Sequence, residues 1–352
     1  MHGVLRVGLL VLLVVGCASG PNSPAAPAPP SPAPTPQPSS SFVTVETENL
    51  VCSDGTPWRF FVSRGDPGKV LLSFQGGGAC WNNGTCNGGT YTPGLNTFLE
   101  LVRAEGIFDR NNTDNPFFGW THVFVPYCTA DIHWGNSVVA YGNRVVHHRG
   151  AVNARAALEW MFTHYPAPRQ AVVTGCSAGA YGAALWSAYV MNRYNRSRVR
   201  LWADAGVGVV TSGFAGTGFR GWRAEQAIPD FIPDLAEART DASRIRLPDL
   251  YRAIAQQFPS ARLSQYTTQE DGVQSYFYGL MGGDPGDWPH LAQSSLGSIK
   301  QGRSNFSSYT APGGGHCVSV TDSFYTTQAG GSRLSQWVKA LVDGDQPTDV
   351  RP

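Results

Sequence analysis

The sequence predicts an α/β fold, a mostly parallel sheet with helices on both faces. Three observations carry that expectation. Short apolar or β-branched runs alternate with helix-length stretches along the chain. One junction, Ala171 to Ala184 (AVVTGCSAGAYGAA), passes from such a run through a tight Gly-rich turn into an alanine-rich helical pattern. The chain has 352 residues, 41 of them Gly and 25 Pro, which suits one loop-rich α/β core of about 300 residues.

Taken in order, Val43–Glu46 and Arg59–Val62 read as short strands joined by the turn Asp54-Gly55-Thr56-Pro57. Lys69–Phe74 is an apolar strand that runs straight into Gln75-Gly76-Gly77-Gly78-Ala79-Cys80-Trp81. The polar stretch from Asn82 to Gly119 reads as irregular, with a short helix over Thr97–Glu105. His122–Tyr127 is a second buried-type strand. Arg149–His164 carries Val152, Ala156, Leu158, Trp160 and Met161 at helical spacing. After the Ala171–Thr174 strand come a helix over Gly182–Tyr194, a strand over Arg200–Ala205 and a Gly-rich loop from Gly206 to Gly221. Ile228–Gln257 reads as helical with breaks at Pro229, Pro233 and Pro248. Arg262–Thr268 and Ser304–Thr310 are the last strands, and Ser332–Val342 closes the chain as an amphipathic helix. No internal repeat is present.

Residues 1–16 have the form of an export leader: a positive start with Arg6, an apolar core from Val7 to Val15, and too few apolar residues to span a bilayer. Val14-Val15-Gly16-Cys17 resembles a bacterial lipobox, in which cleavage leaves Cys17 as a lipid-modified N-terminus. An ordinary signal peptide cut near Ala18 is the alternative, and both readings export the protein to the cell envelope or beyond. Residues 17–41 are rich in Pro, Ala and Ser, the composition of an extended tether. Residues 42–352 are then expected to fold as a single α/β domain. The net charge is +1, from 26 Lys and Arg against 25 Asp and Glu, and removal of Arg6 with the leader makes it neutral. That balance gives no basis for nucleic-acid binding, and contact with a membrane is expected only through the lipid anchor.

Six cysteines remain beyond Cys17: Cys52, Cys80, Cys86, Cys128, Cys176 and Cys317. An even number in an exported domain points to disulfides. No C-x-x-C occurs and neither Cys80 nor Cys86 has a nearby His, so neither a structural metal nor a cofactor is expected.

In Gly175-Cys176-Ser177-Ala178-Gly179 a serine sits between small residues two before and two after it, as needed where a strand and a helix pass closely at a nucleophile elbow. A serine hydroxyl needs a base to take its proton and a third group to hold that base. In α/β-hydrolases the chain order is Ser, acid, His. Only His290 and His316 follow Ser177, and only His316 follows a predicted strand in a Gly-rich turn, so His316 is the expected base. The acid candidates are Asp271, after the strand Arg262–Thr268, with Asp204 as the alternative one strand earlier and Glu270 beside Asp271. Oxyanion donors are expected from the backbone N–H groups of Ala178, Gly77 and Gly78. Ser177 and His316 must meet, and each has a cysteine neighbour, so a Cys176–Cys317 disulfide is expected. Cys80–Cys86 and Cys52–Cys128 account for the other four.

Gln75-Gly-Gly-Gly-Ala-Cys80, Tyr127-Cys128-Thr129-Ala130-Asp131, Gly175-Cys-Ser-Ala-Gly179 and Asp204-Ala-Gly206 together resemble, in that order, the motifs of the pectin acetylesterase family, which includes the Notum carboxylesterases. The resemblance covers roughly Val51 to Val342. It implies an α/β-hydrolase-like fold and a metal-free Ser-His-Asp esterase, with Ser177 and His316 as nucleophile and base. The family's acid lies in a segment whose nearest counterpart is Glu270-Asp271-Gly272-Val273-Gln274, which lacks the family's Trp. The aromatic that follows the glycine run is displaced too, with Ala79 in its place and Trp81 after the cysteine. The expected substrate is an acylated polysaccharide or other ester, cleaved at short acyl groups. Trp81, Trp120, Trp134 and Trp222 are candidates for stacking on sugar rings or for core packing. A lipase-like or polyester hydrolase with the same triad, a thioesterase or amidase, and a non-catalytic glycan-binding lipoprotein are the alternative functions.

Overall fold

The computed structural model describes residues 41–95, 104–196 and 198–352. The leader, Cys17, the tether up to residue 40 and most of the helix expected over Thr97–Glu105 lie outside the described residues. Among those described, no helix is long and apolar enough to cross a membrane.

The core is an eight-stranded sheet. Its strands are β1 (Val43–Val51), β2 (Pro57–Ser63), β3 (Asp66–Phe74), β4 (Trp120–Val125), β7 (Gln170–Cys176), β8 (Arg198–Asp204), β9 (Arg262–Thr268) and β10 (Phe306–Ala311), with a separate hairpin of β5 (Ser137–Tyr141) and β6 (Arg144–His148). The order is β1-β2-β4-β3-β7-β8-β9-β10. From β4 to β10 every neighbour is parallel, and the β1–β2 hairpin joins antiparallel at one edge. The class expected from the sequence, α/β-hydrolase-like with a mostly parallel sheet, is the one observed. The exposed edge strand β1 carries a register break between Glu46 and Val51, which interrupts the row of groups it offers to another chain.

Alternation of side chains sorts the strands into two cores. Val70, Leu72, Val123, Val173 and Leu201 face one way, into helices α1 (Gly150–His164), α2 (Ala178–Arg193) and α3 (Leu247–Gln257). Leu71, Phe124, Val172, Trp202 and Tyr309 face the other way. On the first face α1 contributes Ala154, Ala157, Leu158 and Met161; of the residues whose spacing was read as the packed face, Leu158 and Met161 are buried, while Val152, Ala156 and Trp160 are half-buried. Two more helices, α4 (Gly272–Leu280) and α5 (Trp288–Lys300), lie between β9 and β10 in the chain. The last, α6 (Leu334–Asp343), covers the second face with Trp337, Val338 and Leu341, each worth about 1.5–3 kcal/mol when buried.

Several boundaries differ from expectation. The helix expected from Gly182 starts at Ala178, immediately after the serine, because Ser177 itself makes the turn. The loop expected over Gly206–Gly221 is helical from Ser212 to Trp222, wound in its middle as a wide π turn where Phe214 and Phe219 bury themselves. Ile228–Gln257 breaks into single turns before α3, which Pro248 starts at a position where its missing N–H costs nothing. The closing helix starts at Leu334 because Ser332 and Arg333 pair with Gln328 and Ala329. The β5–β6 hairpin, α4 and α5 had no counterpart in the expected elements.

Cysteines 52 and 128 are bonded and fully buried, with their Cα atoms 5.1 Å apart and a sequence separation of 76. The double variant Cys52→Ala/Cys128→Ala is therefore expected to lose about 4–5 kcal/mol through the freed loop entropy of the unfolded chain. The urea midpoint, with the slope checked alongside, measures it.

Candidate active site

Strand β7 delivers Ser177 at its carboxyl end, next to β3, with Phe74 paired to Gly175. Ser177 has φ 56° and ψ −123°, a strained conformation that the surrounding backbone imposes at about 1–3 kcal/mol. The flanking glycines are sterically required. A Cβ on Gly179 would lie 2.0 Å from the Phe74 carbonyl oxygen, and one on Gly175 would lie 2.2 Å from that of Gly179. The Ser177 N–H donates to the Asp204 carbonyl at 2.8 Å, tying the elbow to β8.

His316 lies in the loop after β10, and Asp271 in the loop after β9 caps the N-terminus of α4. The His316 Nδ1 is 2.9 Å from both Asp271 carboxylate oxygens. Asp271 is fully buried and also accepts from the N–H groups of Val273 and Gln274 and from the Gln274 side-chain amide. A carboxylate with these donors only accepts, so the His316 proton sits on Nδ1. That leaves Nε2 as the acceptor, buried and without a partner among the described residues. The two loops are laced together by Glu270 N–H to Gly313 O, Gly272 N–H to Gly314 O and Thr268 Oγ1 to Gly315 O.

The disulfide Cys176–Cys317, Cα to Cα 5.6 Å, joins the residue before Ser177 to the residue after His316. Cys80–Cys86 closes a short loop beyond the glycine run. With Cys52–Cys128, the three bridges have the pairing expected from the sequence. Asp204, the alternative acid, turns one oxygen instead to the N–H groups of Val318 and Ser319 at 3.0 and 2.7 Å and to the Ser319 hydroxyl. Its burial raises its pKa. Glu270 is exposed.

Ser177, Ala178, Gly78 and His316 border one apolar cavity of about 50 Å³, whose walls include Trp81, Ile132, Phe214, Phe219 and Trp222. Of the four candidate stacking tryptophans, Trp81 and Trp222 are thus buried walls of this cavity, while Trp120 and Trp134 are buried in the core. The run Gly76–Gly78 passes against the elbow: a Cβ on Gly76 would fall 2.6 Å from the Cys176 carbonyl oxygen, and Gly78 has φ 78°.

Gln274 was missed as a site residue. Its amide nitrogen donates to Asp271 and Thr267 and its oxygen accepts from the Val207 N–H at 2.9 Å, which joins Asp271 to the loop after β8. The available signal was the spacing Asp271-x-x-Gln274, the pattern of a helix-capping pair.

An elbow serine on a mostly parallel sheet, with a His–Asp pair from the following strand loops, defines the α/β-hydrolase-like class. The pectinacetylesterase family model matches residues 36–219, more than half of the chain, and the chain belongs to that family. The match includes the glycine run and Ser177 and stops short of Asp271 and His316. Pectin acetylesterase 7 of Arabidopsis thaliana is 28% identical over 145 residues, 39% of this chain and 37% of the relative. Palmitoleoyl-protein carboxylesterase NOTUM of Schmidtea mediterranea is 25% identical over 146 residues, 39% of this chain and 28% of that one. The inactive palmitoleoyl-protein carboxylesterase notum1b of Danio rerio is 28% identical over 116 residues, 31% of this chain and 81% of the relative. The chain thus spans about a third of the length of the first two.

The glycine geometry has a direct test. Gly179→Ala is expected to destabilise by more than the roughly 1–3 kcal/mol of an ordinary overpacked site, because the clash is with backbone. Gly297→Ala, on the exposed face of α5 with nothing within 4 Å of the new Cβ, is expected to stabilise by about 0.5–1 kcal/mol. Urea unfolding of both against wild type measures the contrast.

Proposed function

We propose that this protein is a serine carboxylesterase that removes short acyl groups, acetyl first among them, from an acylated polysaccharide such as pectin. The observation that carries the reading is His316, held through Nδ1 by Asp271 and presenting an unpartnered Nε2 in the cavity that Ser177 lines. In the reaction His316 Nε2 takes the Ser177 hydroxyl proton as Oγ attacks the ester carbonyl. Backbone N–H groups of Ala178, Gly77 and Gly78 receive the oxyanion. Collapse breaks the ester bond, the alcohol leaves with the proton from His316, and water then releases the acid from Ser177 by the same route in reverse.

The pectinacetylesterase match supports short acyl groups over the long chains of a lipase-like reading, and the two cavities that meet at Ser177 and His316, of about 50 and 370 Å³, have room for an acyl group and its alcohol. The leader and the six paired cysteines support export, with Cys17 proposed as the lipid anchor.

The test is hydrolysis of p-nitrophenyl esters from acetyl to longer chains by residues 42–352, beside Ser177→Ala. Activity highest on acetyl and lost by at least about 10³-fold in the variant is expected. A wild type as inert as the variant on every ester, and unlabelled by a serine-directed phosphonate, would turn the reading to glycan binding without catalysis.

A further inference from the structure

The segment Tyr127-Cys128-Thr129-Ala130-Asp131 has no place in the proton-transfer chemistry, yet it lies directly behind the glycine run. The Tyr127 hydroxyl donates to the Gly78 carbonyl at 2.9 Å and accepts from the Ile132 N–H at 2.7 Å. Its ring lies against Gly77, where a Cβ would come within 2.8 Å of it. Its own N–H donates to the Gln75 side-chain oxygen at 2.9 Å. A second side chain reaches the same loop: His133 Nε2 is 2.9 Å from the Gln75 carbonyl oxygen. A carbonyl only accepts, so the His133 ring carries a proton on Nε2.

These two rings pack on each other, with centroids 4.7 Å apart, and His133 packs edge-on to Phe74 at 5.0 Å. Both are buried. Burial pushes the His133 ring down to about 4, which keeps it neutral at ordinary pH, and holds the Tyr127 phenol well above its usual range, which keeps its donor proton. The backbone that carries them is itself contorted: Ala130, Ile132 and His133 all have positive φ, between 52° and 65°. Asp131 holds that contortion by accepting from Thr129 Oγ1, His133 N–H and Gly150 N–H. A strained turn, fixed by a buried carboxylate, thus ends in two donors aimed at the carbonyls on either side of Gly76 and Gly77.

We infer that Tyr127 and His133 are positioning residues that hold the Gln75–Gly78 backbone in the conformation presenting its N–H groups to the oxyanion, an inference resting on the esterase reading of the same site. Glycines 76 to 78 cannot hold that conformation by themselves, because they lack the side chains that restrict other residues. Fixing the two flanking carbonyls supplies the missing restriction. The contribution falls on the transition state, where charge develops on the oxygen, and leaves ground-state ester binding untouched.

The experiment uses Tyr127→Phe, which keeps the ring and deletes the hydroxyl, and His133→Phe, which keeps the packing and deletes the donor. Tyr141→Phe is the control, since its hydroxyl meets His148 and not the glycine run. With p-nitrophenyl acetate, kcat is expected to fall about 10- to 100-fold in both variants with KM within twofold, less than the loss of a whole oxyanion donor. Inhibition by a small alkylboronic acid, which forms a tetrahedral anion on the serine, should weaken by the same factor. A merely structural role would lower the melting temperature without moving the boronate in step with kcat. If Tyr127→Phe does not fold, His133→Phe decides alone. A folded variant with wild-type kcat and boronate affinity overturns the inference. A wild type that neither hydrolyses the ester nor takes up the boronate overturns the esterase reading and this inference with it.

Discussion

The close approach of two backbones, at the carboxyl ends of β3 and β7, is the constraint on which the site depends. Phe74 pairs with Gly175, and the space between the Phe74 carbonyl and the elbow is too small for any side chain at Gly175 or Gly179. Because β3 and β7 are neighbours, the loop leaving β3 emerges beside the serine leaving β7. The glycine run and Ser177 are brought together by strand order alone, before any side chain contributes.

His316 arrives from farther away, after β10 at the opposite edge of the parallel run. Distance is overcome by several attachments, each from a different strand loop. Asp204 of β8 accepts the Ser177 N–H with its backbone and the turn after His316 with its side chain, while the Cys176–Cys317 bridge joins the same two segments covalently. Asp271 and Gln274 extend the lacing to the loops after β9 and β8. Removing one buried partner leaves others unsatisfied, at about 1–3 kcal/mol for each orphaned group. The loops around Ser177 are therefore rigid through a network of polar groups at the sheet's carboxyl edge.

Much of this was legible in the sequence, and the parts that were not share a cause. Strands with near-continuous apolar runs, such as Leu71–Phe74 and Val123–Val125, announce themselves because both of their faces are buried. The elbow was readable because Gly175 and Gly179 are demanded by local sterics. His316 and Asp271 emerged from chain order and from their places after strands. Helix α4 was hidden because its N-cap is Asp271 itself, a residue read only for its charge. The β5–β6 hairpin was hidden because Ser137–Tyr141 and Arg144–His148 leave Val138 and Val145 exposed and so give no clean alternation against a core. The tryptophans were ambiguous because an aromatic that lines a cavity and one that fills a core have the same composition; only packing separates Trp81 from Trp134. The hold of Tyr127 on the glycine run was invisible because it joins residues 49 apart through a hydroxyl and a carbonyl.

The nesting of the disulfides bears on how the chain matures. Cys80–Cys86 lies inside the loop closed by Cys52–Cys128, and Cys176 precedes its partner by 141 residues. Under the proposed export, N-terminus first, the first two thiols of this set to meet oxidant would be Cys52 and Cys80, which belong to different bridges. Oxidation in order of appearance would give the wrong pairing, so correct maturation requires either folding ahead of oxidation or a thiol exchange catalyst to reshuffle the early bonds. Cys176 cannot reach its own partner before residue 317 is available, so the Ser177 and His316 segments are covalently joined only then.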